Sequence, residues 1–318
     1  MIRGHKVITC GDKVAEKIYL KEFPEIKHVF LKGYKPYYSK RKSQRFAILK
    51  QVPKFINRII EEKKAIEKIC FEENIDIIIS DNRYGLRSKR TTNIYITHQI
   101  NIMGPYFITK MLNSINRKIM RKFDHIWVPD FENSELSGDL SKNKLNHLFI
   151  GPLSRFENYK NDDSKIHFKY LAIISGPEPH RSLLEKEITN CFLKLNYQCA
   201  IINGKTTGKK RLIENISIFP HLRIDQFVKL ISNSELVICR SGYSSIMDLY
   251  YLQKKIIFIP TPGQTEQEYL AKYYKEKYGI SFFNQEEIDL KKQNFSSINR
   301  ISNPKKKLLE VAFKKINL

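Results

Sequence analysis

No run of about 18 consecutive apolar residues occurs in this chain of 318, which excludes a membrane-spanning helix from the expectations. The opening residues, Met1-Ile2-Arg3-Gly4-His5-Lys6, lack the apolar core of a secretory signal. The five cysteines, Cys10, Cys70, Cys191, Cys199 and Cys239, form no Cys-X-X-Cys pair. An odd, scattered set reads as reduced thiols in a cytoplasmic protein. Asp162-Asp163 stand together without an Asp-X-Asp pattern, in a polar stretch that reads as a solvated turn, so neither a metal nor a cofactor is expected. No internal repeat appears beyond two similar halves.

Acidic residues are missing altogether between Glu25 and Glu61, in a chain of net charge +23. That gap carries Lys27, Lys32, Lys35, Lys40, Arg41, Lys42, Arg45, Lys50, Lys54 and Arg58, interleaved with Phe30, Tyr34, Tyr37, Tyr38, Phe46 and Phe55. Part of the excess reflects a Lys-, Ile- and Asn-rich composition. A basic, aromatic-bearing surface can hold anionic lipid at about 1 kcal/mol per Lys or Arg near the membrane. It can also hold nucleic acid or be a solvated face. The expectation adopted is an anionic membrane surface, with the protein peripheral to the inner face, and no nucleic acid.

Short apolar runs alternate with helical patterns along the whole chain. Strands are expected over 6–9, 27–31, 75–79, 93–97, 124–128 and 148–150, with helices over 12–21, 46–71 (bent at Pro53) and 106–122. Further strands follow over 168–174, 198–203, 216–219, 236–239 and 256–259, with helices over 180–195, 222–232 and 304–315. This alternation predicts an α/β protein with parallel sheets covered on both faces. A polar segment over 157–165 divides it into domains at 1–152 and 165–318. In such sheets ligands gather beyond the carboxyl ends of the strands. Asp81 and His98 both follow strands of the first half and are the candidate catalytic residues, His98 as a general base with a carboxylate to orient it.

The most informative stretch is 236–248. Leu236-Val237-Ile238-Cys239 reads as a buried strand, Arg240-Ser241-Gly242 breaks it, and Ser244 or Ser245 caps a helix that carries Asp248 about one turn in. A glycine at such a turn lets a ligand approach the backbone. The helix's unpaired N–H groups favour phosphate. A carboxylate slightly farther along suits the vicinal hydroxyls of a sugar. A second Gly-bearing turn, Ser175-Gly176, precedes another helix with Arg181 in its first turn.

This order, continued by the strand at 256–259 and by Pro260-Thr261-Pro262-Gly263-Gln264 before Gln267-Glu268, resembles the donor half of GT-B glycosyltransferases. It is most similar to the glycosyltransferase family 28 C-terminal domain. The resemblance implies two Rossmann-like domains facing a central cleft, with a UDP-sugar, N-acetylglucosamine or another hexose, bound to the second. It implies that Arg240, Ser241, Gly242, Ser244 and Ser245, with Ser175, Gly176 and Arg181, surround the diphosphate. Asp248 then holds the ribose, the backbone at Ile224 reads uracil, and Gln267 and Glu268 reach the sugar. The family usually has Glu at the ribose position and Gln-Gln at the pair, so the sugar itself is left open. No divalent metal is required if a helix end carries the leaving charge.

Two further expectations come from the resemblance. Residues 96–104, with His98-Gln99, resemble the His-Glu-Gln-Asn segment of relatives that act on lipid-linked acceptors, without its Glu. Arg3-Gly4-His5-Lys6-Val7 resembles the second strand of GT-B N-terminal domains, so a first βα unit of roughly thirty residues is expected to be missing. Either the start codon is misassigned or the protein is truncated and inactive. The alternatives to transfer are hydrolysis or epimerisation of a UDP-sugar on the same fold, or nucleotide-sugar binding without catalysis.

Overall fold

The computed structural model describes residues 4–34, 52–104, 106–157, 166–205, 208–290, 296–298 and 307–316. Most of the basic stretch expected to meet a membrane, and the expected linker with Asp162-Asp163, lie outside these. Two compact units emerge: residues up to Ile96 with Ile119–His125, and Thr97–Lys118 with Ile126–Leu318.

In the first unit, β1 (Ile8–Gly11) leads into α1 (Lys13–Glu22), and β2 (Lys27–Phe30) returns to pair in parallel with β1. The Asp12 side chain caps α1 by accepting from the Val14 and Ala15 amides, as its sequence pattern predicts. Next comes α2 (Val52–Glu73), with Pro53 in its first turn, where a missing N–H costs nothing. β3 (Ile77–Asp81) pairs in parallel with β4 (Thr92–Ile96). Both start and finish within two residues of expectation, but the shift makes Asp81 the last residue of β3 rather than part of the turn beyond it. Ile66, Ile69 and Cys70 of α2 pack on Ile78 and Leu86. Burying side chains of this size contributes about 1.5–3 kcal/mol each. The turn after β3 is pinned by a buried charge: Arg83 Nε and Nη2 donate to Glu62 Oε1 at 2.9 and 2.6 Å, and Tyr34 donates to Oε2 at 2.6 Å.

The chain continues through α3 (Tyr106–Met120), β5 (His125–Val128) and β6 (Leu148–Phe149), which pairs in parallel with β5. The second unit's main sheet is built from β7 (Phe168–Ile173), α4 (His180–Phe192), β8 (Cys199–Ile202), β9 (Arg211–Ile213), β10 (Ile216–Phe219), α5 (Ile224–Ser232), β11 (Ser234–Cys239), α6 (Tyr243–Leu252), β12 (Lys255–Phe258), α7 (Thr265–Tyr278) and β13 (Ser281–Phe282), followed by α8 (Leu308–Lys314). The strand order is β13-β12-β11-β7-β8-β10-β9, and every pairing is parallel except β9 with β10. The exposed edge strand β9 and the two-residue β13 are additions to the predicted set.

Period-two alternation explains the two covered faces. Leu236 and Ile238 of β11 point toward Leu184, Ile188 and Phe192 of α4. Val237 and Cys239 point the other way, into a core shared with Ile246 and Leu249 of α6 and with Leu270 and Tyr274 of α7.

The division between units differs from the expected boundary at 152–165. Residues 129–141 belong with the second unit because tyrosines of α6 and α7 hold them. Tyr243, Tyr273 and Tyr274 donate to the Pro129, Glu135 and Leu136 carbonyls at 2.9, 2.8 and 2.9 Å, and the Asp139 amide donates to the Tyr269 hydroxyl at 2.7 Å. Within the loop, fully buried Asp130 accepts from the Phe131, Leu136 and Ser137 amides at 2.6, 2.9 and 2.8 Å. Burial raises its pKa, against the pull of those hydrogen bonds.

Candidate active site

The strand order places a topological switch point between β7 and β11. From β7 the chain steps through β8 to β10 on one side, then returns to lay β11 against β7's other edge, with Cys239 opposite Ile173. The turns leaving these two strands diverge, and a crevice forms between them. A cleft of about 220 Å³ lies there. Ile173, Ile174 and Ser175 line it from the end of β7, Gly204 from beyond β8, His221 and Leu222 from before α5, and Cys239, Ser245 and Asp248 from β11 and α6. Gly204 has φ +66°, and a Cβ there would stand 2.9 Å from the Ile174 carbonyl oxygen, so the wall tolerates only glycine at this approach.

The sequence expected Ser244 or Ser245 to cap α6. The N-cap is instead Gly242, which has no side chain with which to cap. The three serines are turned to other uses. The Ser241 hydroxyl donates to the Gln267 carbonyl at 2.7 Å, Ser244 is exposed in the first turn, and Ser245 lines the cleft. At Gly242 the backbone is ordinary, φ −76°; what glycine provides is space, since the nearest atom to a Cβ would be Gln267 Nε2 at 4.0 Å. The first-turn amides of α6 thus receive no cap from the N-cap residue and have the positive end of the helix dipole behind them.

Asp248 stands about one turn deeper. Ser154 donates to its Oδ1 at 2.6 Å. Burial raises the Asp248 pKa, opposed by the Ser154 hydroxyl and by the charge of Arg155. Arg155 lines the cleft, with its guanidinium carbon 5.0 and 4.8 Å from the ring centres of Phe156 and Phe227. It is a cation that the motif-based reading missed, because it belongs to residues 151–157, far from both glycine turns in sequence.

Several expected residues are committed within the fold. Arg240 is fully buried: Nη1 donates to the Ile259 and Pro260 carbonyls at 3.0 and 3.1 Å, and Nη2 to the His180 carbonyl and Gln285 Oε1 at 3.0 and 2.6 Å. Its side chain ties strand ends together and does not face the cleft. Burial brings its pKa down to about 10, which leaves it charged at neutral pH. Gln267 Oε1 accepts from the Thr261 amide at 2.8 Å while Nε2 donates to Gln264 Oε1 at 2.6 Å. Glu268 Oε1 accepts from the Gly263 amide at 2.8 Å, so both members of the pair shape the 260–264 loop. Arg181 donates from Nε and Nη2 to Glu178 Oε1 at 3.0 and 2.5 Å. Ser175 and exposed Gly176, φ +103°, form the opposite turn. Ile224 opens α5, so its amide lies in a turn that has no intrahelical acceptor.

His98 lies flat on Tyr243, the first residue of α6, at 4.3 Å between ring centres and 7° between planes. Its Nε2 stands 2.9 Å from Glu266 Oε1, in the first turn of α7. The carboxylate partner expected for a histidine base is therefore present, supplied by Glu266 and not by a first-half residue. Asp81 is exposed at the end of β3 in the first unit.

Residues 177–316 match the family model described as "Glycosyltransferase family 28 C-terminal domain". An uncharacterized glycosyltransferase of Methanosarcina acetivorans is 25% identical over 241 residues, 67% of this chain and 61% of that protein. The chain thus spans less than two thirds of that relative's length. A UDP-N-acetylglucosamine--N-acetylmuramyl-(pentapeptide) pyrophosphoryl-undecaprenol N-acetylglucosamine transferase of a Sulfurihydrogenibium species is 25% identical over 277 residues, 85% of this chain and 70% of the relative. Among solved structures, the glycotransferase of kitacinnamycin superposes with a TM-score of 0.59 at 13% identity, covering 91% of this chain and 81% of its own. The chain has the fold of the GT-B glycosyltransferases, and its residues 177–316 match the C-terminal domain of glycosyltransferase family 28.

Proposed function

We propose that the protein transfers a hexose, N-acetylglucosamine foremost, from a UDP-sugar to a hydroxyl of a lipid-linked acceptor. The observation that carries this reading is the amino end of α6, which its N-cap residue leaves uncapped, beside the half-buried carboxylate of Asp248 in the switch-point cleft. An aspartate near a phosphate is unfavourable; an aspartate one turn away suits a nucleoside diphosphate, whose ribose hydroxyls donate to it while its phosphoryl oxygens accept from amides.

In this reading the diphosphate lies against the amides of Ser244 and Ser245, with Ser175 and Gly176 opposite. Arg155 and Arg181 add positive charge, and Arg181 exchanges its surface partner Glu178 for phosphate at little cost. The ribose meets Asp248 and the base approaches Ile224. The acceptor oxygen attacks the anomeric carbon, the sugar–phosphate bond breaks, and its electron pair leaves on UDP. The helix end stabilises the charge that grows on the leaving oxygen. The acceptor proton passes to His98, which Glu266 and the Tyr243 ring hold in place.

The lipid-linked acceptor draws support from α3, where Met111 and Ile115, one turn apart, are 58% and 49% exposed with Lys110 and Lys118 on the same helix. Among the described residues no helix is long and apolar enough to cross a membrane, so α3 would rest on anionic lipid by its apolar residues and lysines. Incubation with UDP-N-acetylglucosamine, with and without a polyprenyl-diphosphate-linked sugar, tests the reading. Glycosylated lipid and free UDP are expected. Free sugar or an epimer formed without acceptor, or no turnover despite tight UDP binding, would overturn transfer in favour of hydrolysis, epimerisation or simple binding.

A further inference from the structure

His98 stands at the apex of a small turn made by its own neighbours. Thr97 is buried directly after β4, and its amide donates to the Trp127 carbonyl of β5 at 3.0 Å, which fixes where the turn leaves the sheet. The Thr97 hydroxyl oxygen then accepts from the Gln99 amide at 3.0 Å. A side-chain oxygen that accepts from the amide two residues on closes a turn much as a backbone carbonyl does. The residue spanned by that bond is His98. Farther along, the loop is held from outside. The Asn101 amide donates to the Leu140 carbonyl at 2.8 Å, Asn116 Nδ2 to the Ile100 carbonyl at 3.0 Å, and the Thr265 hydroxyl to the Met103 carbonyl at 3.1 Å. Thr265 and Glu266 are successive residues of α7, so its first turn grips both the far end of the loop and the His98 ring. All of these residues belong to the second unit.

We propose that Thr97 is a positioning residue for His98: its hydroxyl sets the turn that lays the imidazole flat on Tyr243 with Nε2 against Glu266. The inference rests on His98 acting as the base, as given above. Both ring contacts are demanding, with planes 7° apart and Nε2 at 2.9 Å from the carboxylate. The direction of a side chain at the apex of a turn follows the φ and ψ of that one residue. A misplacement of about 1 Å can cost on the order of 100-fold in rate. Burial at the end of β4 would be served equally by valine. A buried hydroxyl is costly unless it is hydrogen-bonded, and the Gln99 amide is the bond that explains it here.

The test compares Thr97→Val, Thr97→Ser, His98→Ala and the Thr97→Val/His98→Ala double variant of the whole chain. Each is assayed for transfer from UDP-N-acetylglucosamine to a polyprenyl-diphosphate-linked sugar and titrated with UDP. Thr97→Val, which keeps the shape and loses the hydroxyl, is expected to lower kcat by about tenfold or more with UDP affinity unchanged. Thr97→Ser keeps the acceptor oxygen and is expected to stay within about twofold of wild type. In the His98→Ala background, Thr97→Val should change kcat by less than about twofold, because a residue that acts through the ring has nothing left to position. NMR of histidine-labelled protein reads the same contact without turnover. The His98 ring protons, shielded by the Tyr243 face, are expected to move downfield in Thr97→Val and to stay in place in Thr97→Ser. A Thr97→Val protein with wild-type kcat and unmoved His98 protons overturns the inference. So does one in which kcat and UDP affinity fall together, or one whose loss persists in the His98→Ala background, since a purely structural role gives both. A wild type that transfers no sugar overturns the transfer reading instead, and the His98 resonances then decide on Thr97 by themselves.

Discussion

At the scale of single residues, three side chains show how similar chemistry is put to different uses. Arg240 looks like a phosphate ligand in the sequence because it adjoins Ser241-Gly242, yet its four hydrogen bonds run to His180, Ile259, Pro260 and Gln285. Removing it as Arg240→Ala leaves buried carbonyls unpaired and is expected to lower unfolding stability by about 3 kcal/mol in urea denaturation. Asp248 is expected to act on the ligand. Asp248→Ala should weaken UDP binding by about 1–3 kcal/mol, and unchanged affinity in calorimetry would remove it from the ribose site. Its raised pKa adds a sign. The charged form accepts the ribose hydroxyl, so UDP affinity should fall on acidification, beginning above the ordinary carboxylate value of 3.8. The stability contribution runs the other way. The native state binds this proton more tightly than the unfolded chain, so the group favours folding more as pH falls through the same interval. Glu266 is the third case. If it holds His98 for proton transfer, Glu266→Gln should lower kcat by about tenfold or more with UDP affinity unchanged, and Glu266→Asp should recover part of the loss; a matching fall in UDP affinity would assign Glu266 to binding instead.

At the scale of elements, the strands were legible because period-two burial writes itself into composition. The uninterrupted apolar run 236–239 is β11's buried end, and β7, β10 and β12 lie within a residue or two of expectation. Helix α6 was legible in position but not in its cap. A serine near a helix start is ordinarily a cap, and nothing local reveals that Ser241 turns to the Gln267 carbonyl 26 residues on. The 129–141 loop escaped for the same reason: its hold on the second unit comes from tyrosines more than 100 residues away. Asp130 organises that loop from within, and Asp130→Ala should destabilise the protein by about 2–4 kcal/mol by stranding buried amides. A thermal or urea midpoint equal to wild type would show that the loop is held by the tyrosines alone.

At the scale of the whole molecule, alternation of strands and helices was enough to foresee an α/β protein with parallel sheets, and the two glycine turns were legible as strand-to-helix junctions, but the reversal of strand order between them was not. The partition into units was not legible either, because it depends on which side of the boundary a loop's hydrogen-bond partners lie. On the proposed reading one contact is independent of sugar and acceptor: the first-turn amides of α6 receive the phosphoryl groups of the donor. Amide resonances of Ser244 and Ser245, followed by NMR in isotopically labelled protein as UDP is added, report on that contact most directly. The account predicts that both shift and saturate together with UDP, and move far less with uridine, which has no phosphate. Resonances that stay fixed while UDP binds elsewhere would contradict it.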